Sequence, residues 1–312
     1  MRYSTTPEPL LHPNGGDIFT EETKMRAFMP AVTFFATIVF LVTPSGASDS
    51  IATAACQFTT FDVGKGPTFA GRINRWHNVI GTGDTGSGFF IRYSDGTIKT
   101  LVVTVPGDLQ SISYRNYFGV MVGFFETGTP DTGFLEHGFV DANGKTTQFD
   151  YPGAENTQLY SINRYGSIVG TANLPGQPTF MFKYTGGHFF TLNAGKNPIP
   201  GAISDAGVIV GTHTVTTTSG TEVEHGFVLA NGSLQDVVFP GADNTELHDI
   251  NAQGHIIGTY LVGSTPNSFL IKDGQFLTIK GPDVTQVSGI NGFDQVVGTL
   301  NFGQHGFIAQ CQ

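Results

Sequence analysis

Short apolar stretches separated by turn residues recur along residues 57–308. Each stretch is rich in Val, Ile, Thr and Phe and is bounded by Gly, Asn or Pro, which is the pattern of a β-strand. Phe180, Phe182 and Tyr184 alternate with other residues, so this segment places its aromatic side chains on one face of a strand. No stretch after residue 47 has sustained helical periodicity. The pattern therefore predicts an all-β chain.

The strands are organised in six repeats. An Ile-Asn step, varied in some copies, is followed by an apolar strand, and the key polar residues lie 40 to 47 residues apart: Asn74, Asn116, Asn163, Ser204, Asn251 and Asn291. A glycine follows each of them after seven residues: Gly81, Gly123, Gly170, Gly211, Gly258 and Gly298. Each repeat has room for four short strands, which is the spacing of a propeller blade. The sequence predicts a six-bladed β-propeller of four-stranded blades.

Two local features of the repeat have physical explanations. The fourth residue of the repeat, counted from the key polar residue, is Gly in four copies and His77 or Asp294 in the others, all of which tolerate a left-handed backbone. We therefore expect a tight turn there, between the first and second strands. The glycine seven residues on lies inside the second strand, where we expect another backbone to approach closely.

The two ends of the repeat region complement each other. The last repeat stops after its third strand, and residues 57–62 form a fourth strand without a repeat of their own. We expect this N-terminal strand to complete the last blade and so to close the ring. Cys56 and Cys311 occupy the two positions that Asn143-Gly144 holds in the hairpin turn of the second repeat. Cysteines of an exported chain usually pair, so we expect a disulfide between them.

The N-terminal segment predicts export. Lys24 and Arg26 precede an uncharged apolar run, and Ser45-Gly46-Ala47 supplies small residues for cleavage, which together indicate a signal peptide at 25–47. Residues 1–24 are interpreted as an upstream extension, and 48–312 as a single propeller domain. We expect a secreted, extracellular or periplasmic protein whose mature chain has no membrane span.

Composition narrows the range of partners. The formal net charge is −10 and no basic stripe is present, which disfavours a nucleic-acid partner. No phosphate loop, nucleophile elbow or metal-binding spacing occurs, so the sequence predicts no cofactor, no metal and no catalytic residue. His137, His225 and His305 recur at one position of different repeats, which favours a structural role. We expect a monomer.

The repeat resembles a known family. Phe-Pro-Gly-Ala at 239–242, Ile-Asn with Ile-Val-Gly at 162–170, and the His-Gly-Phe steps are similar to the HAF-type probable extracellular repeat proteins of bacteria. The resemblance covers residues 57–308 and implies export and a propeller-like fold, without a defined activity. Repeats one and two depart most, and Arg115 stands where the pattern has Ile.

Candidate chemistry is sought where the repeats differ. The two residues before each Ile-Asn step vary, and together with Arg115 they predict a polar, aromatic ring around one channel mouth: Arg72, Tyr114, Arg115, Tyr160, His248 and Asp249. Such a ring suits a carbohydrate or a small polar ligand, although drift at exposed strand ends would produce the same variation. The loops that connect the fourth strand to the first and the second to the third are the default binding surface. On the opposite face, Trp76 is expected to be an isolated exposed contact.

Three functions are compatible with this pattern. The first is a secreted or cell-surface binding module whose partner is a carbohydrate or an extracellular protein. The second is an extracellular enzyme acting on a polysaccharide or similar exported substrate at the channel mouth. The third is a structural matrix or envelope protein. Clustered carboxylates at the mouth would favour the enzyme.

Overall fold

The computed structural model describes residues 51–282 and 285–312. The predicted extension at 1–24 and the predicted signal peptide at 25–47 lie outside the described residues. Six four-stranded antiparallel sheets form the blades of a β-propeller, which confirms the predicted fold class. No helix in the described ranges is long and apolar enough to cross a bilayer.

The strands of blades one to three follow chain order. Blade one contains β2 Phe69–Ile73, β3 Val79–Thr82, β4 Phe89–Arg92 and β5 Ile98–Thr100. Blade two contains β6 Asp108–Arg115, β7 Met121–Thr129, β8 Gly133–Ala142 and β9 Lys145–Gln148. Blade three contains β10 Asn156–Ile162, β11 Ile168–Asn173, β12 Phe180–Thr185 and β13 His188–Leu192.

Blades four to six continue the ring. Blade four contains β14 Lys196–Ile203, β15 Ile209–Thr216, β16 Glu222–Ala230 and β17 Ser233–Val237. Blade five contains β18 Asn244–Ile250, β19 Ile256–Val262, β20 Thr265–Lys272 and β21 Gln275–Ile279. Blade six contains β22 Thr285–Ile290, β23 Gln295–Leu300, β24 His305–Cys311 and the N-terminal β1 Cys56–Phe61, with a 3-10 turn at Asn301–Gly303.

The N-terminal strand lies at the outer edge of the sixth sheet. β1 pairs with β24 antiparallel, and Cys56 lies opposite Cys311. The predicted disulfide between them is confirmed, with Cα atoms 4.1 Å apart and a sequence separation of 255. The first and last described strands are thus joined by a ladder of hydrogen bonds and by one covalent bond.

The first strand of every blade carries a β-bulge at the same place. The register shifts by one residue three positions before the key polar residue, and the bulged residues are Gly71, Ser113, Tyr160, Gly201, His248 and Ser288. A bulge leaves the extra residue outside the ladder and bends its strand. In a propeller this strand is the innermost, so each blade gains a residue near the axis whose backbone is not used by the sheet.

The glycine of the second strand lies where a first-strand carbonyl and a third-strand phenylalanine come close together. A Cβ built on Gly123 would lie 1.9 Å from the carbonyl oxygen of Ser111 and 2.8 Å from the ring of Phe139. The equivalent glycines of the other blades meet the same two obstacles, a first-strand carbonyl and a third-strand phenylalanine. The close approach predicted from the sequence is confirmed, and the side chain of the core phenylalanine contributes to it.

The repeat asparagine both closes a turn and ties neighbouring blades together. Asn163 Oδ1 accepts hydrogen bonds from the backbone N–H groups of Tyr165 and Ser167, each at 3.0 Å. Its Nδ2 donates to the carbonyl of Ser204 in blade four at 3.0 Å. Asn116 and Asn251 make the same link to their next blades at 3.1 and 3.0 Å. The predicted left-handed residue of the turn is confirmed, with φ of 60° at His77 and 57° at Asp294.

The core is built from one phenylalanine per blade. The third strand of every blade buries a phenylalanine completely: Phe90, Phe139, Phe182, Phe227, Phe269 and Phe307. Each packs against Val and Ile side chains of its own blade and of a neighbour, as Phe227 does with Val169 and Ile203. Truncating such a side chain costs about 3–5 kcal/mol. The ring is therefore held by interfaces between blades as much as by the sheets themselves.

Candidate functional site

Two cavities lie at the propeller axis, one on each face. The turn face carries the turns between first and second strands, which begin at the repeat asparagines. Its cavity has a volume of about 380 Å³. The loop face carries the connections between second and third strands and between consecutive blades, and its cavity has a volume of about 370 Å³. Both volumes lie in the range of small-molecule sites.

The six residues predicted to surround one channel mouth are divided between the two faces. Arg72, Tyr160 and His248 line the loop-face cavity. Tyr114 and Arg115 line the turn-face cavity. Asp249 is fully buried and lines neither cavity. The prediction that all six residues surround a single channel mouth was wrong, because the bulge changes the direction of successive side chains at this point of the strand.

Arg72 lies at the axis and donates hydrogen bonds to the backbone carbonyl groups of three bulged residues. Its Nη1 donates to the carbonyl oxygens of His248, at 3.1 Å, and Ser288. Its Nη2 donates to the carbonyl oxygen of Gly201 at 3.1 Å. The guanidinium also lies 5.6 Å from the centre of the Tyr114 ring, within cation–π distance. One side chain of blade one thus contacts blades two, four, five and six, between the two cavities.

The charge of Arg72 and burial together set the ionisation of the neighbouring groups. Burial raises the pKa of Asp249 to about 6, although Arg72 and the N–H groups of Ile290 and Ile250 favour its charged form. Burial and the charge of Arg72 lower the pKa of His248 to about 4. Burial and the Asp249 carboxylate raise the pKa of Tyr114. The axis is therefore a region of low polarity, and Arg72 is the positively charged side chain that lies in it.

Carboxylates lie behind two residues of the loop-face cavity, His248 and Tyr160. Burial and the neighbouring Glu224 raise the pKa of Glu246, whose Oε2 lies 3.8 Å from Nε2 of His248. On the other side, Glu136 Oε1 accepts a hydrogen bond of 2.6 Å from Gln158, and Gln158 Oε1 accepts one of 2.6 Å from the Tyr160 hydroxyl. Glu246 lies in the first strand of blade five, two residues before the bulged His248, whereas Glu136 and Glu224 lie in the third strands of blades two and four. None of them falls at the positions where the comparison of repeats sought the site.

The recurrent threonines of the loop face are structural. Thr68, Thr157 and Thr245 are buried, and their hydroxyls accept hydrogen bonds from the backbone N–H groups of Val63, Tyr151 and Phe239. Each hydroxyl fixes the chain where it enters a new blade. The recurrence of threonine in these loops therefore reflects folding of the connection.

The turn-face cavity is lined at one equivalent position of every blade by an isoleucine, except in blade two, where an arginine takes its place. The residue before each repeat asparagine lines it: Ile73, Arg115, Ile162, Ile203, Ile250 and Ile290. The five isoleucines are almost completely buried. Arg115 is partly buried, and burial lowers its pKa. Within the described ranges, Arg115 has no carboxylate at ion-pair distance and no side-chain hydrogen bond. Arg115 is therefore a cation without a paired carboxylate among the residues that line this cavity.

Arginines and aromatic rings form the rim of the same cavity. They come from the two residues after the repeat asparagine in blades six, one, two and three. Arg75, Tyr117, Arg164 and Phe293 line the cavity, and the rings of Trp76, Phe118 and Tyr165 lie beside them. Blades four and five have Asp205-Ala206 and Ala252-Gln253 instead. The rim is therefore asymmetric. This asymmetry is visible in the sequence when the two residues after the repeat asparagine are compared between repeats.

Contacts within the rim correct the interpretation of Trp76. Its ring lies 5.4 Å from that of Tyr117, and the guanidinium of Arg75 lies 5.9 Å from the same tyrosine ring. Trp76 is 52% exposed, so one face of the ring is open to solvent. Arg164 stacks on Tyr165 at 4.6 Å and pairs with Asp205 at 3.3 Å. Trp76 is thus part of a cluster, and the expectation of an isolated contact was wrong.

The repeated histidines pair with aspartates. His137 Nδ1 lies 2.9 Å from Asp150, and His305 Nδ1 lies 2.8 Å from Asp62 of the N-terminal segment. Each pair joins the third strand of a blade to the end of its fourth strand. Across residues 51–282 and 285–312, no three His, Cys, Asp or Glu side chains come together as metal ligands do.

Comparison with known proteins identifies the fold alone. No protein-family model matches the chain, and no curated protein matches it. A catalytically inactive virginiamycin B lyase from Staphylococcus aureus, solved with quinupristin, is 9% identical and superposes with a TM-score of 0.51, covering 82% of this chain and 99% of that one. A gluconolactonase from Xanthomonas campestris is 15% identical, with a TM-score of 0.49 and coverage of 82% and 90%. At these identities the likeness concerns the propeller architecture.

Proposed function

We propose that this protein is an exported binding module that holds a small saccharide in the turn-face cavity. The observation that carries the proposal is the asymmetric rim: arginines and aromatic rings occupy four consecutive blades of a ring that is otherwise regular. Folding requires the repeat, whereas it does not require this departure from the repeat. Exposed aromatic faces stack on sugar rings, and arginines donate hydrogen bonds to their oxygen atoms.

Export is part of the proposal. The disulfide fits an extracellular or periplasmic protein. The signal peptide predicted at 25–47 and the resemblance to HAF-type repeats agree with it. A disulfide that joins the first and last described strands supports a function outside the cell, where chains are exposed to proteases and to changing conditions.

A thermal-shift screen tests the proposal. The oxidised chain from residue 48, which includes every described strand, is heated with neutral and acidic oligosaccharides, since a ligand of the folded state raises the melting temperature. The expected result is a shift with one class of saccharide that Trp76→Ala abolishes. Phe134→Ala is the matched control, because Phe134 is also 52% exposed but lies beyond the loop face. A shift that Phe134→Ala abolishes and Trp76→Ala retains would refute the turn-face site.

A second candidate function is hydrolysis of a glycan at the loop face. Glu246 favours it, because a carboxyl group with a raised pKa beside a second carboxylate is the arrangement that general acid catalysis needs. Incubating the protein with polysaccharides and measuring reducing ends tests this candidate. Turnover that Glu246→Gln abolishes would support it, and its absence across the panel would leave the binding module as the function.

A further inference from the structure

Arg115 occupies a position that folding assigns to isoleucine. The residue before the repeat asparagine is isoleucine in the five other blades, with exposed fractions between 0% and 4%. In blade two the same position ends β6 and is occupied by Arg115, which is partly buried and belongs to the cavity lining. Replacing a buried apolar side chain with a charge is costly unless the charge finds a partner. A costly departure at one of six equivalent positions requires an explanation.

The environment of Arg115 does not provide that partner. Within the described part of the chain its side chain makes no ion pair and no hydrogen bond, and a Cβ on Gly119 would lie 2.8 Å from its Nη2. The guanidinium is thus held against the turn by packing. Five N–H donors in a planar fork remain available, and this geometry matches a carboxylate.

The surroundings increase the preference for a negative ligand. Arg75 and Arg164 stand at the rim of the same cavity, and within the described residues Asp205 is the carboxylate that pairs with Arg164. The protein as a whole has a net charge of −10, so this cavity collects positive charge against the overall balance. Long polyanions are repelled by such a protein, whereas a short anionic ligand that enters the cavity is attracted locally.

We infer that the saccharide bound in the turn-face cavity is acidic, and that Arg115 binds its carboxylate. This inference rests on the proposed function and specifies its ligand as a uronic-acid sugar. Arg115, in the lining of the cavity, donates hydrogen bonds to both oxygens of this carboxylate. The sugar ring remains at the rim beside Trp76 and Tyr117. Specificity then comes from one charged contact in a low-polarity site, where such contacts are strongest.

The repeat itself supplies the test variant. Arg115→Ile restores the residue that the other five blades have, so we expect it to fold and to raise the melting temperature by about 2–4 °C. At the same time it should remove the preference for acidic sugars. A residue retained for structure would show the opposite stability change, and therefore the two readouts together separate binding from folding.

The experiment is calorimetric titration with three probes of similar length. Tetragalacturonate carries carboxylates, a neutral galactose tetrasaccharide lacks them, and a sulfated tetrasaccharide carries a different anion. We expect the wild-type protein to bind tetragalacturonate at least 10-fold more tightly than the neutral probe, with an affinity that falls as salt rises. Arg115→Ile should bring the two affinities within about 2-fold. Lys145→Ala, which removes one exposed positive charge from a hairpin of the same blade, should leave the preference unchanged.

The other outcomes are distinguishable. Equal affinity of wild type for the acidic and neutral probes would overturn the inference and leave the binding module intact. Binding of the sulfated probe alone would also overturn it, because the anion would then not be a carboxylate. A preference that survives Arg115→Ile would show that Arg115 is not the anion-binding residue. A variant that melts below wild type would overturn the argument that Arg115 is retained for a ligand, because folding would then account for it. Absence of binding to every probe would overturn both the inference and the proposed saccharide ligand.

Discussion

Replacing Arg72 with Met should weaken the whole ring. The methionine keeps an apolar stem of similar length but removes the guanidinium and its three hydrogen bonds to the carbonyls of Gly201, His248 and Ser288. A hydrogen bond from a charged donor contributes about 1.5–3 kcal/mol, and a buried carbonyl left without a partner adds a cost of its own. The three carbonyls belong to bulged residues, which lie outside the paired register of their sheets. Without Arg72, solvent must supply their hydrogen bonds.

The expected magnitude follows from this geometry. Water entering from the loop-face cavity of about 370 Å³ can reach part of the site and recover some of the loss. We therefore expect the free energy of unfolding to fall by about 3–5 kcal/mol, which is less than the full contribution of three hydrogen bonds from a charged donor. The melting temperature of a domain of this size should fall by about 2–4 °C for each kcal/mol.

Urea unfolding of Arg72→Met measures this loss, with a lowered midpoint and an unchanged slope. Arg92→Met is the matched control, since Arg92 lies in the same blade as Arg72 but away from the axis. Its guanidinium lies 5.1 Å from the centre of the Phe61 ring in blade six. That contact should contribute about 0.5–1 kcal/mol. The pKa of His248 provides a second readout: it should rise from about 4, because the charge of Arg72 lowers it. If Arg72→Met is no more destabilised than Arg92→Met, the axial role of Arg72 is refuted.

Three further predictions concern the disulfide, the second-strand glycine and a buried acid. Replacing Cys56 and Cys311 with Ser should lower the free energy of unfolding by up to about 5 kcal/mol in urea titrations, and an unchanged midpoint would contradict closure by this bond. Gly170→Ala should lower the melting temperature strongly, because its Cβ would lie 2.4 Å from a carbonyl oxygen; wild-type melting would refute the clash. Asp249 binds its proton more tightly when folded, with a pKa of about 6 raised from 3.8, so its contribution to stability is full below pH 3.8 and is lost as pH rises through about 6. Asp249→Ser, which copies Ser161 at the same position of blade three, should gain up to about 3 kcal/mol over wild type between pH 4 and pH 7 in urea titrations; a constant difference would contradict the assignment.

The fold could be predicted from the sequence because each repeat has the same turn residues and the same glycine position. Asn163 and its equivalents define the turn, and the glycine seven residues later marks the place where a first-strand carbonyl approaches. The disulfide could be placed because Cys56 and Cys311 take the positions of a hairpin turn that other blades show in full. These inferences depend on local geometry and on counting, which a repeated sequence supplies six times.

The candidate site was less accessible to the same reasoning. Alternation along a strand predicts which face a side chain occupies, but a bulge shifts the alternation, so Arg72 and Tyr114 could not be assigned to their cavities. The contact of Arg72 with carbonyls of three other blades depends on the closed ring and has no trace in the sequence. The unusual residue at position 115 was visible as a departure from isoleucine, and its surroundings became visible only in three dimensions.

Hydrogen exchange with a bound probe tests the central claim most directly. The exchange of backbone amides is compared with and without saturating tetragalacturonate, in the oxidised chain from residue 48. The account predicts slower exchange in the turns at 74–78, 116–120 and 163–167, and no change in the loop-face segments at 126–136 and 213–224. Protection of the loop-face segments with unchanged turns would contradict a binding site on the turn face.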